Sequence, residues 1–371
     1  MIYFNNAASS YPKPDEVATA VEKAMNLFPV HASRASFSLK IPDIVNQTRK
    51  SIAKLFNVEN PDNIIFTSGA TESLNYVIRG IEVENSHIIT TVTEHNSVLR
   101  PLYYVEKTEI TYLSCDENGY VEPEMFQKNI KEKTKFFIIN HSSNVTGIVQ
   151  NIEKIYEIAL ENDILLIIDC AQSAGNVEIN IEKFRKAIFI FTGHKSLFGI
   201  SGTGGFYLPE HIELKPLKTG GTGIKSNVLH QPEGRPIFYE SGTPNIVGLA
   251  ALKAGVDFIL ENGIQKIIKR KKDIYNRILS EIKNNDKIKI LNPTENNTGI
   301  ISITVDDDID EVCWGIERNY ELILRTGLHC CPLIHKDIST FPAGTIRISP
   351  GFFNTDKEVE TLIEAINGGF L

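Results

Sequence analysis

Three apolar runs limit what this chain can fold into. Lys135-Phe136-Phe137-Ile138-Ile139, Ile164-Leu165-Leu166-Ile167-Ile168 and Ala187-Ile188-Phe189-Ile190-Phe191 lack the apolar–polar alternation of a strand with one wet face. Runs of that length and composition are buried on both sides, as in a mostly parallel sheet covered by helices. Each stops at small and polar residues: 140–147, 169–173, and the stretch Thr192-Gly193-His194-Lys195-Ser196. Open α/β sheets place their ligands just beyond such strand ends. Lys195 is then either a solvated side chain, as most lysines are, or an amine desolvated enough to act as a nucleophile toward a carbonyl.

Between the runs the apolar spacing becomes helical. It predicts helices opening at Asp15-Glu16 and over 44–56, 97–106, 152–162, 244–261 and 264–283, with strands at 63–66, 87–91 and 109–113 and a return strand at 203–208. Beyond residue 292 the pattern changes to strands at 299–305, 322–325 and 345–349 with helices at 309–318 and 356–366, a smaller α+β unit. A chain of 371 residues exceeds one ordinary core. The expected organisation is an N-terminal segment over 1–14, a large α/β domain over 15–255 and a small α+β domain over 256–371, with the 264–283 helix as hinge. Residues 209–240 are glycine-rich and aperiodic, which points to a functional loop or a subunit contact.

Composition removes several classes. A formal net charge of -8 argues against a nucleic-acid partner. No run approaches the roughly 18 apolar residues of a membrane span. Met1-Ile2-Tyr3-Phe4-Asn5-Asn6 lacks the basic and apolar regions of a signal peptide, so a cytoplasmic protein is expected. Five cysteines without C-x-x-C spacing support neither structural disulfides nor a metal site.

Thr67-Ser68-Gly69-Ala70-Thr71-Glu72-Ser73 lies between a predicted strand and helix. Its hydroxyls and free amides suit an anion at the positive end of the helix dipole, although the same residues also cap helices with no ligand present. Asp169 likewise reads as a helix cap or as a site carboxylate. Together, an anion cradle, a strand-end carboxylate and a strand-end lysine are what a pyridoxal phosphate site requires: a phosphate seat, a partner for the ring nitrogen and an amine.

In these motifs, nearly end to end, the chain resembles class V, fold-type I pyridoxal phosphate enzymes of the cysteine desulfurase and selenocysteine lyase family, short-loop group. The resemblance implies a large PLP-transferase-like domain with a mostly parallel, seven-stranded sheet. It implies that Lys195 holds the pyridoxal 5'-phosphate, Asp169 the ring nitrogen and Gln172 the phenolic oxygen, and that His95 of Thr-Glu-His-Asn-Ser stacks on the ring and shuttles protons. Asn144 of Ser-Asn-Val-Thr-Gly would lie near the ring and the substrate carboxylate. Ala70, Thr71, Thr192 and His194 would seat the phosphate. Thr243 of Glu-Ser-Gly-Thr-Pro-Asn would reach the phosphate of the other subunit, which implies a homodimer with shared sites.

Arg325-Thr326-Gly327-Leu328-His329-Cys330 resembles the catalytic-cysteine loop. Cys330 would take up sulfur from L-cysteine as a persulfide, release alanine and pass the sulfur to a protein acceptor. Arg347 of Ile-Arg-Ile-Ser would clamp the substrate carboxylate, with Arg325 beside it; a planar guanidinium suits that task. Arg325 and His329 give Cys330 cationic neighbours that favour a thiolate. Cys331 stands where relatives commonly carry a small apolar residue, as a resolving thiol, a second sulfur carrier or an inert side chain. Val30-His31-Ala32-Ser33-Arg34 matches the family only loosely. Selenocysteine lyase activity fits the same residues; amino transfer, beta-elimination and a non-catalytic sulfur-accepting scaffold are the other readings.

Overall fold

The computed structural model describes residues 1–27, 43–81, 83–291 and 293–368; Val30–Arg34 lie outside the described residues. Among the described residues twelve strands form, β1 (Ile2–Tyr3), β2 (Ile64–Thr67), β3 (His87–Thr91), β4 (Glu109–Leu113), β5 (Thr134–Asn140), β6 (Leu165–Asp169), β7 (Ile188–Thr192), β8 (Gly204–Tyr207), β9 (Ile288–Leu291), β10 (Ile301–Val305), β11 (Leu322–Ile323) and β12 (Ile346–Ile348). The helices are α1 (Asp15–Met25), α2 (Ile44–Phe56), α3 (Ala70–Gly80), α4 (Asn96–Tyr103), α5 (Pro123–Lys128), α6 (Ile152–Glu161), α7 (Ile246–Asn262), α8 (Ile264–Ile282), α9 (Ile309–Tyr320), α10 (Ile334–Asp337) and α11 (Asp356–Asn367).

Seven strands join in the order β2-β8-β7-β6-β5-β3-β4. All run parallel except β8, which is antiparallel to both its neighbours and is the return strand that the sequence predicts. The apolar runs explain the layering. Successive side chains of a strand point to opposite faces, so Phe137, Ile139, Leu166 and Ile168 meet α2, α5, α6 and α7, while Phe136, Ile138 and Ile167 meet α3 and α4. The fold class read from the sequence is the one observed.

A second core forms around the antiparallel sheet β9-β10-β12 and α8, α9 and α11. Helix α8 serves both cores: Ile267 packs in the first, and Ile274, Tyr275, Ile278 and Ile282 in the second. Strand β1 pairs with β11, and Phe4 is sealed in the second core. Residues 5–14 then cross back to α1, which packs on α7. Three sequence readings change. The 97–106 helix stops at Tyr103 and the 322–325 strand at Ile323; β9, only four residues with an exposed Lys289, is an edge strand that no periodicity signals. Helix α5 is likewise too short for a period.

The turn after β7 is set by close backbone approach. A Cβ at Gly193 would run into Thr203 Oγ1, itself bonded to Ile200 O at 2.7 Å, and one at Gly204 would come within 2.6 Å of Gly69 Cα. Gly193→Ala is expected to destabilise the fold by roughly 1–3 kcal/mol, the usual range for overpacking. A fall in the urea midpoint at unchanged slope checks this.

Candidate active site

Strands β2, β3, β5, β6 and β7 end along one rim, and their following residues line a cavity of about 350 Å³. Of the predicted residues, Ala70, Thr71, His95, Asn144, Asp169, Gln172, Thr192, His194, Lys195, Arg325 and Arg347 line it. Cys330 is not among the lining residues but directly follows His329, which is; its carbonyl accepts from Asn96 N–H at 2.8 Å and its Sγ lies 3.3 Å from Arg325 Nη2. Thr243 is exposed and does not line this chain's cavity.

Lys195 is held by its backbone. Ser10 Oγ donates to its carbonyl at 2.7 Å, and Lys13 Nζ to the carbonyl of His194 at 2.8 Å. Burial draws the Lys195 ammonium down to about 8, the nearby Asp169 carboxylate offsetting part of the shift. Asp169 accepts from Ala171 N–H at 2.8 Å; burial pushes its carboxyl above the ordinary range, against the pull of that bond and of Lys195. Gln172 Nε2 donates to Ala7 O at 2.9 Å, which fixes its side chain at the cavity wall.

His95 Nδ1 accepts from Ser97 N–H at 3.0 Å, so the proton of the neutral ring sits on Nε2. Burial, and then Lys195, draw this imidazole down to about 4; burial and the same lysine do likewise for His194. Each therefore meets a ligand as a neutral ring near pH 7. Gly69 gives α3 no side-chain cap, which leaves its first-turn amides to a ligand, with the Thr71 hydroxyl, bonded to Ser97 Oγ at 2.9 Å, beside them.

Arg347 is 1% exposed. Its Nη2 donates to Asn5 Oδ1 at 2.8 Å and its Nη1 to Asn144 O at 2.9 Å, while Nε is buried without a partner. Burial, then Arg325, draw the guanidinium down to about 9, which leaves it charged at neutral pH. Among the described residues no carboxylate pairs with Arg325 or Arg347, although Glu72 at the same cavity is neutralised by Lys218 at 2.6 Å. A cavity with this surplus of positive charge suits a ligand bearing a phosphate and a substrate bearing a carboxylate.

One expectation needs correction. His329 is not a cationic neighbour of Cys330: it is 2% exposed, its Nε2 bonds Thr345 Oγ1 at 2.9 Å, and burial holds it well below the usual imidazole range. Arg325 is the guanidinium in contact with that sulfur. The Asn144 amide turns to the cysteine loop, donating through Nδ2 to His329 O at 2.8 Å and accepting at Oδ1 from Cys331 Sγ at 2.7 Å. Sequence reasoning also missed Asn5, Ala7, Ser10 and Lys13, whose partners lie far along the chain, and Ser97 and Glu72, which stood in the quoted motifs.

An amine at one strand end, a carboxylate at the next, an uncapped helix start and an unpaired arginine define a pyridoxal phosphate enzyme of fold type I, and these residues fit that cofactor. The chain belongs to the family described as Aminotransferase class-V, which matches residues 2–362 and depends on that cofactor. It is 34% identical to "Cysteine desulfurase IscS" of Buchnera aphidicola over 99% of this chain and 92% of that protein. With "Probable cysteine desulfurase" of Methanothermobacter thermautotrophicus it shares 27% identity over 97% and 93%. The solved apo cysteine desulfurase of Thermococcus onnurineus superposes with a TM-score of 0.91 at 27% identity, covering 99% of this chain and 94% of that one.

Proposed function

We propose that this enzyme is a cysteine desulfurase, taking sulfur from L-cysteine on Cys330 and releasing L-alanine. The observation that carries the reading is the Cys330 thiol, held by Arg325 at the edge of a cavity lined by Lys195 and Arg347, in a chain whose relatives bear that name. Bound there, pyridoxal phosphate supplies an electrophilic carbon and a ring that accepts electrons from the substrate's Cα.

The chain's own groups do the rest. Lys195 Nζ anchors the cofactor and then moves the Cα proton. Asp169 would hold a proton at the ring nitrogen, Gln172 would serve the phenolic oxygen, and His95, neutral and with its proton on Nε2, would border the ring. Amides of Ala70 and Thr71, with Thr71, Thr192 and His194 side chains, would seat the phosphate. Arg347 binds the substrate carboxylate, Arg325 and Asn144 bordering it. Cys330 Sγ attacks the substrate sulfur; the S–S bond forms as the C–S bond breaks, and the carbon fragment takes up a proton and leaves as alanine. Arg325 steadies the charge on the attacking sulfur.

The wider reading is a cytoplasmic homodimer in which Thr243 reaches the partner's phosphate and a protein acceptor collects the sulfur. It is supported by the exposure of Thr243 and by the exposed Leu217, Ile224 and Leu229 of the long loop.

Cofactor-loaded protein incubated with L-cysteine should release alanine without any keto acid. Amino transfer that needs a keto acid would contradict the reading. A pH dependence also follows. The neutral amine is the reactive form, so the rate at which apoprotein takes up pyridoxal phosphate should rise about tenfold per pH unit below the Lys195 value and level off above it. That value is about 8.

A further inference from the structure

Cys331 directly follows the sulfur-accepting residue, yet the two thiols differ in surroundings. Cys330 is half-buried with its sulfur on Arg325, whereas Cys331 is fully buried with its Sγ donating to Asn144 Oδ1. Asn144 therefore grips the turn twice, at His329 O and at the Cys331 thiol, and is itself pinned by Arg347 at its carbonyl. The turn needs holding. His329 and Cys330 are successive non-glycine residues in the left-handed region, with φ of 48° and 62°. Such backbone persists only where its surroundings over-determine it. Burial, and then the nearby Glu94, push the Cys331 thiol well above the usual thiol range, so it keeps its proton and acts as donor, not nucleophile.

We infer that Cys331 is a positioning residue for Cys330: through Asn144 its thiol holds the turn that presents the Cys330 sulfur to the cavity, and it carries no sulfur itself. The meaning of Cys330 rests on the desulfurase reading; the first test below does not.

Cofactor-loaded Cys331→Ser, Cys331→Val and Cys331→Ala proteins are treated with iodoacetamide, and modification of Cys330 is followed by peptide mass. Serine keeps a donor and valine fills the site without one. The expected result is alkylation about tenfold faster in the valine and alanine variants, as loss of a buried bond lets the turn open, and wild-type behaviour in serine. With L-cysteine, kcat should fall in the same two variants while KM holds, because Arg347 is untouched. If valine does not fold, as judged by lost cofactor absorbance, the alanine–serine contrast decides. Equal rates in all variants, serine behaving like alanine, or substrate sulfur found on Cys331 in the wild type would overturn the inference. Failure of alanine release with the alkylation pattern intact would sink the desulfurase reading alone.

Discussion

Cys330→Ala should lose L-cysteine turnover by about a thousandfold or more, while cofactor absorbance and the unfolding midpoint stay at wild-type values. The substitution is clean for a structural reason. Cys330 has a φ of 62°, and alanine faces the same backbone constraint as cysteine, so the sulfur is removed without the relaxation that glycine would allow. Arg325 loses its sulfur partner but still lines an open cavity where water can meet it. Selenocysteine gives the contrast. Selenium is the better leaving group and depends less on an attacking thiolate, so its turnover should persist within about tenfold of wild type. Alanine production followed for both substrates checks this, and unchanged L-cysteine turnover in the variant would place the sulfur chemistry elsewhere.

Lys195→Ala has the other large effect, because it removes the anchor instead of the acceptor. Turnover of both substrates should fall by about 10⁴-fold or more. The visible band of the covalently held cofactor should disappear, and gel filtration should strip what remains. The fold should survive: the side chain reaches into the cavity and its backbone bonds, from Ser10 Oγ and Phe198 N–H to the Lys195 carbonyl, do not depend on it. The two variants thus separate cofactor from sulfur. Loss of absorbance belongs to Lys195 alone, whereas selective loss of L-cysteine turnover belongs to Cys330 alone.

The sheet was legible because its strands satisfy one condition over and over. Ile138 and Ile139 enter different cores, and a short run rich in β-branched and aromatic residues, apolar at successive positions, fits an interior strand. The strand-end residues Asp169 and Lys195 followed from the same runs. Local sequence said nothing of β9, an edge of four residues, nor of the N-terminal crossing. Asn5 reaches Arg347 and Ala7 reaches Gln172 from far along the chain, and no period or motif encodes such contacts. His329 shows another limit. Proximity in sequence suggested a charge beside Cys330, but charge depends on burial, and a ring sealed against Thr345 stays neutral. The motif around Asn144 gave no sign of its partners, which depended on how the cysteine loop turned.

The destination of the substrate's sulfur separates desulfuration on Cys330 from every other reaction. Cofactor-loaded enzyme is mixed with L-cysteine in the absence of reductant, quenched, and mapped by peptide mass. The predicted result is alanine together with a one-sulfur increment on Cys330, with Cys331, Cys115, Cys170 and Cys313 unmodified. Alanine without that increment, or the increment on another cysteine, would contradict it.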